Sequence, residues 1–455
     1  MNNPSTRFAL ISNLVKVKNR RLRTIKLLTA LSATSLLVSQ SSSPVAAALE
    51  ESPKTVIDEV WQIISSEFVD PDFNHVDWKV KRQELLRGDY QDQKTAYKAI
   101  RQSLEGLGDP YTRFLDPAEY EELSSQTSGE LSGIGIRLGI DKKNKKLTVF
   151  EPIPNSPATK AGLKAGDHIV SINGKSTTKM TLEQASAAIK GQVGTEVNLE
   201  IARPSKPAFE VSIARAQIEL PSVSYNLNQE QGSKVGYIKL DEFSSHAAEQ
   251  MQKAIKDLSS KQVSGFILDL RGNPGGLLFS SVEIARMWME KGAIVSTLDR
   301  QGGNEKFAAN GNALTDLPLV VLVDGYSASA SEILTGALKE NHRAKVVGSR
   351  TYGKGTVQSV HSLSDGSGLA VTIAHYYPPS GTDINKKGIA PDITVNLNRE
   401  QQTNLSIHPD WIGTQEDPQY SRAVSILKNE SISKTRDTNT PITTNQAAPN
   451  KPNLN

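Results

Sequence analysis

The 455-residue sequence contains no cysteine. This absence excludes disulfide bonds, thiolate metal sites and a cysteine nucleophile. The excess of positive over negative charge is also small, because the chain has 52 Lys and Arg residues and 49 Asp and Glu residues. The resulting net charge of +3 is too small to indicate nucleic-acid binding. Aromatic residues make up only 5% of the chain, yet its length is enough for two or three domains.

Basic residues are concentrated at the N-terminus, where residues 1–48 hold seven of them and no acidic residue. An apolar run, Leu27–Val38, follows the basic residues, and small residues stand at Val45–Ala48. This order is typical of a secretory signal peptide, and the apolar run is shorter than the ~20 residues that a membrane span requires. We therefore expect residues 1–48 to be a signal peptide that is cleaved near Ala47 or Ala48. Without its seven positive charges the mature chain carries −4 rather than +3.

The hydrophobic pattern divides the rest of the chain into four segments. Residues 53–127 have apolar positions at three- and four-residue spacing, which predicts a helical subdomain. Residues 128–217 have short alternating runs separated by glycine turns, which predicts a compact β-rich domain. Strand and helix patterns alternate over residues 218–400, which indicates an α/β core with largely parallel strands. Residues 401–455 are polar, and we expect a largely disordered tail.

Ser329 lies at a predicted strand-to-helix turn within the segment Asp324–Glu332. The free N–H groups and the dipole of a helix N-terminus favour negative charge, as an oxyanion beside an acyl-transfer nucleophile requires. However, the pair Ser329 and Glu332 also matches a capping box, which is an ordinary start of a helix. This segment alone therefore leaves a nucleophile and a helix cap both open.

A serine nucleophile needs a base, and the sequence offers two kinds. Lys354 stands between two glycines that allow close approach of the backbone, but a lysine base requires burial or neighbours that lower its pKa from ~10.4. A solvated surface lysine is the ordinary alternative. His361 and His375 are conceivable bases of a Ser-His hydrolase. The segment 348–354 also nearly matches a phosphate-binding loop, but Gly355 stands where that loop needs Ser or Thr.

Two further glycine-containing segments could bind negatively charged groups. Leu268–Gly276 is a predicted buried strand that ends in a glycine-rich turn, either an anion-binding nest or a simple connection. In Ser132–Ile136, glycines at the start of a strand would let N–H groups converge on the terminal carboxylate of a peptide, which the strand edge could accept as an added strand. A barrel strand with two bends is the alternative.

In their order along the chain, these segments resemble the C-terminal processing peptidases, or tail-specific proteases, which are secreted or periplasmic serine proteases. The resemblance covers residues 55–400 and rests on Asp109–Leu115, Thr127–Gly135, Ala161–Asp167, Ile172–Gly174, Asp269–Arg271, Asn273–Gly276, Ser327–Glu332, Gly353–Gln358 and Gly388–Asp392. It implies a multi-domain α/β protein with an N-terminal helical subdomain, a PDZ-like β-rich domain and a protease core of the ClpP/crotonase-like type.

The resemblance also implies roles for individual residues. Ser329 would be the nucleophile, Lys354 the general base, and Gln358 the residue that orients the lysine. The backbone N–H groups of Gly275 and Ala330 would form the oxyanion hole. The peptide-binding positions of the PDZ-like domain would be Gly133, Ile134, Gly135 and Ile136. Some members of the family have Asp where this chain has Glu340, so Glu340 is left out of the catalytic set; no metal or other cofactor is implied.

The function implied is that of an exported serine endopeptidase that recognises the C-terminal region of its substrates through the PDZ domain. Its partners would be proteins with accessible C-termini, including a photosystem II D1 precursor if the source is photosynthetic. It would not bind nucleic acid, and it would have no stable membrane span after removal of the signal peptide. Its location would be the periplasm or the thylakoid lumen, with or without membrane association. The alternatives are a non-catalytic PDZ scaffold protein and a Ser-His hydrolase.

Overall fold

The computed structural model describes residues 52–141, 143–230 and 232–438. The predicted signal peptide, residues 1–48, lies outside the described residues, as do residues 439–455 of the predicted tail. Within the described part of the chain, no helix is both long enough and apolar enough to cross a membrane.

The first elements of the described chain are mainly helical. They are α1 (Pro53–Glu67), a 3-10 turn (Phe73–His75), α2 (Trp78–Arg87), α3 (Gln93–Glu105), β1 (Arg113–Leu115) and α4 (Pro117–Ser128). A side-chain oxygen of Ser52, Asp77, Asp92 or Asp116 accepts an N–H of the first turn of each α-helix, which explains where the helices begin. The predicted apolar spacing is confirmed in α1, where Val56, Val60 and Ile64 are buried.

A β-rich domain follows. Its elements are β2 (Glu130–Gly133), β3 (Ile136–Ile140), β4 (Leu147–Pro152), α5 (Pro157–Lys160), β5 (His168–Ile172), β6 (Lys175–Ser176), α6 (Leu182–Ile189), β7 (Glu196–Ala202), β8 (Phe209–Ala214) and β9 (Ala216–Glu219). Antiparallel pairing gives the sheet order β3-β4-β5-β7-β8, so β3 is an edge strand, and β2 pairs with β9 as a separate ribbon. Alternating residues such as Val197, Leu199 and Ile201 form the core of this domain.

The third part contains two sheets. Its elements are β10 (Val223–Glu230), β11 (Ser233–Leu240), α7 (Ala247–Ser260), β12 (Gly265–Asp269), α8 (Leu278–Trp288), β13 (Ala293–Asp299), β14 (Asn304–Ala308), β15 (Leu319–Val323), α9 (Ala330–Glu340), β16 (Lys345–Gly348), β17 (Thr356–Ser362), β18 (Gly368–Tyr377) and β19 (Ile393–Thr394). In the first sheet, of order β10-β11-β12-β15-β16-β19, every pair except β10 with β11 is parallel, as the alternating pattern predicts. The second sheet is antiparallel and centres on β18.

The helical part packs onto the second sheet rather than standing apart from it. Strand β1 pairs with β18, so that Phe114 lies opposite Leu369. Leu369 and Val371 of β18 belong to the same buried cluster as the apolar face of α1. The N-terminal part is therefore built against the strands β17 and β18 that contribute to the candidate site.

The prediction of a disordered tail from residue 401 is wrong for its first part. Helices α10 (Arg399–Ile407) and α11 (Pro418–Thr438) are formed there. Tyr420, Ala423, Val424 and Leu427 recur at three- and four-residue spacing and are buried against β11, β12, β15 and β16. The abundant Asn, Thr and Ser residues beyond Glu430 dominate the composition of the segment and hide this apolar stripe. Because both faces of a parallel sheet must be covered, the apolar stripe of α11 packs on the face of the sheet formed by these strands.

A buried ion-pair network fixes α11 to the core. The Arg271 guanidinium donates to Asp269 Oδ2 at 2.5 Å and to Asp417 Oδ2 at 2.7 Å. Asp417 Oδ1 also accepts the N–H of Gln419 at 3.0 Å at the start of α11. Since Arg271 is the second residue after β12, the network joins the start of α11 to the loop that carries Gly275.

Candidate active site

Three loops that contain predicted site residues leave the same edge of the parallel sheet. Strand β12 leads into residues 270–277, β15 into residues 324–329, and β16 into residues 349–355. The carboxyl ends of parallel strands lie together, and sites in open α/β sheets form outside those ends. The topology thus brings together residues that are far apart in sequence.

Ser329 occupies a strained position at the N-terminus of α9. Its backbone has φ 55° and ψ −116°, and its side chain is fully buried. A residue other than glycine in such a region costs about 1–3 kcal/mol and persists only where its surroundings hold it. Here the Tyr376 hydroxyl donates to the Ser329 carbonyl oxygen at 3.1 Å, and Asp324 Oδ1 accepts N–H groups within the preceding turn.

The Ser329 hydroxyl does not act as a helix cap. The Glu332 carboxylate accepts the Ser329 N–H at 3.0 Å, as in a capping box. The N–H of Glu332, however, donates to the carbonyl oxygen of Ser329 at 2.7 Å. Within the described residues Ser329 Oγ has no hydrogen-bond partner. Only half of the capping box is used, which leaves the hydroxyl for another purpose.

Glu332 connects the serine turn to the lysine segment. Its Oε2 accepts the main-chain N–H of Ser329 at 3.0 Å and that of Lys354 at 2.8 Å. Its Oε1 accepts the Thr351 hydroxyl at 2.6 Å and the Gly353 N–H at 2.7 Å. Burial raises the pKa of Glu332, and these four hydrogen bonds act in the opposite direction. One buried carboxylate thus holds both segments at a fixed separation.

Lys354 is almost completely buried, with 1% of its surface exposed. Burial lowers the pKa of its amine well below the usual value, because the charged form loses its hydration. The charges of Asp109 and Glu332 oppose this shift, whereas that of Arg113 adds to it. The amine lies 4.9 Å from the centre of the Tyr111 ring. These surroundings disfavour the charged form of the amine and are not those of a solvated surface lysine.

Gln358 lies on β17, near Lys354 in sequence, and is fully buried. Its Nε2 donates to Thr356 Oγ1 at 3.0 Å and to Thr372 Oγ1 at 3.2 Å. Its Oε1 accepts no hydrogen bond from the described residues. The amide is therefore held at one end, with an acceptor oxygen at the other.

The loop after β12 lies in contact with the start of α9. A Cβ atom on Gly275 would stand 2.8 Å from Ser329 Cβ and 3.0 Å from the nitrogen of Ala330, so no other residue fits there. Ala330 is the first residue of α9, where N–H groups have no acceptor in the helix. The Gly275 N–H, however, donates to Asn273 Oδ1 at 2.8 Å. It can serve an oxyanion only by leaving that oxygen or by sharing its hydrogen between two acceptors.

The predicted peptide-binding residues lie in the β-rich domain, at the turn between β2 and β3. The carbonyl oxygen of Ile134 accepts the Ala158 N–H at 2.8 Å, and that of Gly135 accepts the Ile153 N–H at 2.9 Å. Ile134 is buried in the core of the domain, whereas Ile136 begins the edge strand β3. The edge position of β3 is what an added peptide strand requires.

The structure disfavours two alternatives from the sequence. His361 pairs with Glu67 at 2.8 Å, and His375 lies opposite Thr356 in the β17–β18 ladder. Among the described residues neither histidine makes a hydrogen bond with Ser329 Oγ. The N–H groups of Gly353 and Lys354, which a phosphate-binding loop would direct at its ligand, donate to Glu332 instead. No cluster of possible metal ligands is found in the described chain.

For several residues of the site the sequence indicates no role. The spacing of Glu332 from Ser329 predicts a capping box at the helix start and nothing more. Asp109, Tyr111 and Arg113 belong to the motif Asp109–Leu115, which carries no recognisable chemistry by itself. Thr372 lies on a buried strand whose alternating pattern gives no sign of a polar role.

Comparison with known proteins identifies the family. The chain matches the family model of peptidase family S41 over residues 234–395 and that of the PDZ domain over residues 122–202. It is 42% identical over 373 residues to a carboxyl-terminal-processing protease of Picosynechococcus sp., an alignment that covers 82% of this chain and 88% of the relative. The chain belongs to peptidase family S41.

Other similar proteins agree with this assignment. A carboxyl-terminal-processing protease of Synechocystis sp. is 40% identical over 393 residues, which cover 86% of this chain and 90% of that protein. The solved structure of a photosystem II D1 C-terminal processing protease superposes with a TM-score of 0.50 at 35% identity, covering 81% of this chain and 99% of the other. The expected family, multi-domain α/β fold with a PDZ domain, and peptidase class are confirmed. This S41 peptidase is thus a C-terminal processing protease.

Proposed function

We propose that this S41 peptidase cleaves peptide bonds with Ser329 as nucleophile and Lys354 as general base. The observation that carries the proposal is the bridge made by Glu332, whose Oε2 accepts the main-chain N–H groups of both residues. A buried serine hydroxyl and a buried amine with a lowered pKa are thereby held on one support. A nucleophile and a base held in this way are the minimum for acyl transfer.

In the first step the neutral amine of Lys354 takes the proton of Ser329 Oγ while that oxygen forms a bond to the substrate carbonyl carbon. The carbonyl oxygen becomes negatively charged and is stabilised by the Ala330 N–H and, after its release from Asn273, by the Gly275 N–H. Gln358 Oε1 accepts a hydrogen bond from the lysine amine and directs it. Preorganised N–H donors of this kind supply about 3–4 kcal/mol each.

In the second step Lys354 gives its proton to the leaving nitrogen, the C–N bond breaks, and an ester between Ser329 and the acyl part remains. A water molecule then donates a proton to the neutral Lys354 and attacks the ester carbon. When the ester C–O bond breaks, the proton returns to Ser329 Oγ. Both residues end in their starting state, and the balance of the reaction is hydrolysis of one peptide bond.

Substrate recognition is assigned to the PDZ domain, within the predicted range 128–217. The turn Gly133–Ile136 would bind the terminal carboxylate, and the edge strand β3 would pair with the preceding residues. The substrates would then be proteins with accessible C-termini. A D1 precursor is the first to test, because one similar solved structure is named a D1 C-terminal processing protease.

Export is proposed from the sequence of residues 1–48, with cleavage near Ala47 or Ala48. Some similar proteins are named as chloroplastic. A thylakoid-lumenal location agrees with both observations, and a periplasmic location agrees with the first. N-terminal sequencing of the protein recovered from the exported fraction should give a start near residue 48 or 49.

The test of the mechanism is cleavage of an unstructured protein that ends in small apolar residues. We expect the protein without residues 1–48 to cleave it, and Ser329→Ala and Lys354→Ala to lose nearly all of this activity. His361→Ala, which removes a histidine paired with Glu67, is the matched control and should retain it. Cleavage by Lys354→Ala at the wild-type rate would refute the dyad, and absence of cleavage by the wild type would favour a PDZ scaffold.

A further inference from the structure

The segment that precedes β1 lies against the active site, although it comes from the helical part of the chain. The Tyr111 ring is 4.9 Å from the Lys354 amine, and the charges of Asp109 and Arg113 act on that amine. Asp109 also fixes the turn itself, because its carboxylate accepts the N–H groups of Tyr111 and Thr112, each at 3.1 Å. The helical part thus contributes a carboxylate beside the site.

A chain of two hydrogen bonds leads from this half-buried carboxylate to the buried Gln358. The Thr372 hydroxyl donates to Asp109 Oδ2 at 2.6 Å. The same hydroxyl oxygen accepts the Gln358 Nε2–H at 3.2 Å. Thr372 is 1% exposed and Gln358 is fully buried, so water does not offer either group another partner.

The number of available hydrogen atoms decides which group donates and which accepts in each of these hydrogen bonds. A hydroxyl has one hydrogen, and an ionised carboxylate can only accept. The hydrogen of Thr372 is committed to Asp109, which leaves only lone pairs for Gln358. The amide of Gln358 must therefore turn its NH2 group toward Thr372 and its oxygen toward the other side.

Thr356, the other hydrogen-bond partner of the Gln358 amide, does not fix the orientation of that amide. Thr356 Oγ1 also accepts from Gln358 Nε2, at 3.0 Å. In the described part of the chain no carboxylate accepts the hydrogen of Thr356, so its hydroxyl can rotate to donate or to accept. The two flipped states of an amide have nearly the same shape, and packing alone does not choose between them.

We infer that Asp109 is a positioning residue which, through the Thr372 hydroxyl, sets the orientation of the Gln358 amide so that Oε1 is available to the Lys354 amine. The inference rests on the proposed function, because the proposed mechanism is what assigns to Gln358 the role of directing the Lys354 amine. In the flipped state an NH2 group would face the amine. The lone pair of the neutral amine would then be drawn toward Gln358 and away from Ser329.

The cleanest test changes Thr372, because Asp109 also holds its own turn. Thr372→Val keeps the shape and removes the hydroxyl, whereas Thr372→Ser keeps the hydroxyl. Thr335→Val on α9 is the matched control, since the Thr335 hydroxyl is fully buried and makes no hydrogen bond with any described residue, and therefore none with Asp109, Thr372 or Gln358. All three variants are compared with wild type for kcat and KM with a peptide substrate.

We expect Thr372→Val to lower kcat about tenfold or more, the factor for one misplaced buried hydrogen bond, with KM changed less than about twofold. Thr372→Ser should restore most of the activity, and Thr335→Val should keep a kcat near that of wild type. Equal values of kcat for Thr372→Val and Thr335→Val would overturn the inference. If wild type shows no cleavage that depends on Ser329, the proposed function fails and this inference fails with it.

The pH profile of Asp109→Asn gives a second readout that a merely structural role would not move. The charged or titratable groups that face the Lys354 amine are Asp109, Arg113 and Tyr111 on this segment and Glu332 on α9. Removal of the negative charge at position 109 lowers the pKa of Lys354 further. The acidic limb of kcat/KM should therefore move to lower pH, and a limb that stays in place or moves to higher pH would contradict the placement of the Asp109 charge.

Discussion

Lys354→Met should make the protein more stable near neutral pH while it abolishes cleavage. Burial lowers the pKa of Lys354 well below its usual value near 10.5. Between the two values the folded protein holds a neutral amine, whereas the unfolded chain holds a charged one. The unfolded state then binds one more proton, so the free energy of unfolding of the wild type rises with pH by about 1.4 kcal/mol per pH unit over that range. Methionine has a similar length but no titratable group, so the free energy of unfolding of Lys354→Met lacks this dependence on pH.

The assay is unfolding by guanidinium chloride at pH 8, 8.5 and 9. We expect the variant to be the more stable protein, by a margin that shrinks by about 1.4 kcal/mol for each pH unit. Lys345→Met, at an exposed lysine of β16, is the matched control and should differ from wild type by a constant amount. A margin for Lys354→Met that does not change with pH, or that grows, would refute the description of Lys354 as a buried neutral base.

Three further predictions concern the supports of the site. Glu332→Gln replaces one acceptor oxygen by an NH2 group, so that this NH2 group faces groups that themselves donate to Glu332 in the wild type. We expect kcat to fall about tenfold or more, and an unchanged kcat would contradict the role of Glu332 as a bridge. Asp417→Ala removes one partner of the buried Arg271 and should lower the free energy of unfolding by about 3–5 kcal/mol, while Asp410→Ala, at an exposed position, should change it by less than about 0.5. Gly275→Ala places a methyl group 2.8 Å from Ser329 Cβ, and kcat should fall about 100-fold, against little change for Gly325→Ala, where the nearest atom is 3.9 Å away; equal activity of the two would contradict the close contact.

The sequence predicts the order of the fold well because its patterns are local. Alternation over Val197, Leu199 and Ile201 gives a strand, and the spacing of Val56, Val60 and Ile64 gives a helix. The error at α11 has the same origin, since the average composition of the segment is dominated by the polar stretch that follows the buried residues of the helix. The apolar stripe from Tyr420 to Leu427 would have indicated the helix.

The candidate site could be predicted only in part. The sequence makes Ser329 and Lys354 candidates because each lies in a distinctive local context and because the order of the motifs resembles a known family. The contacts of Asp109 with Thr372 and of Glu332 with Lys354 join residues that are distant in sequence, and periodicity says nothing about such contacts. The state of Gly275 is a further case, because only the structure shows that its N–H is engaged by Asn273.

The most direct test of the account is the rate at which Ser329 is acylated by an activated ester, followed by intact mass across pH. The account predicts one acyl group per chain, none on Ser329→Ala, and a wild-type rate whose acidic limb reports the deprotonation of Lys354. Lys354→Ala should be acylated at least about 100-fold more slowly, the contribution of a positioned general base. Acylation of Lys354→Ala at the wild-type rate, or on a residue other than Ser329, would contradict the central claim.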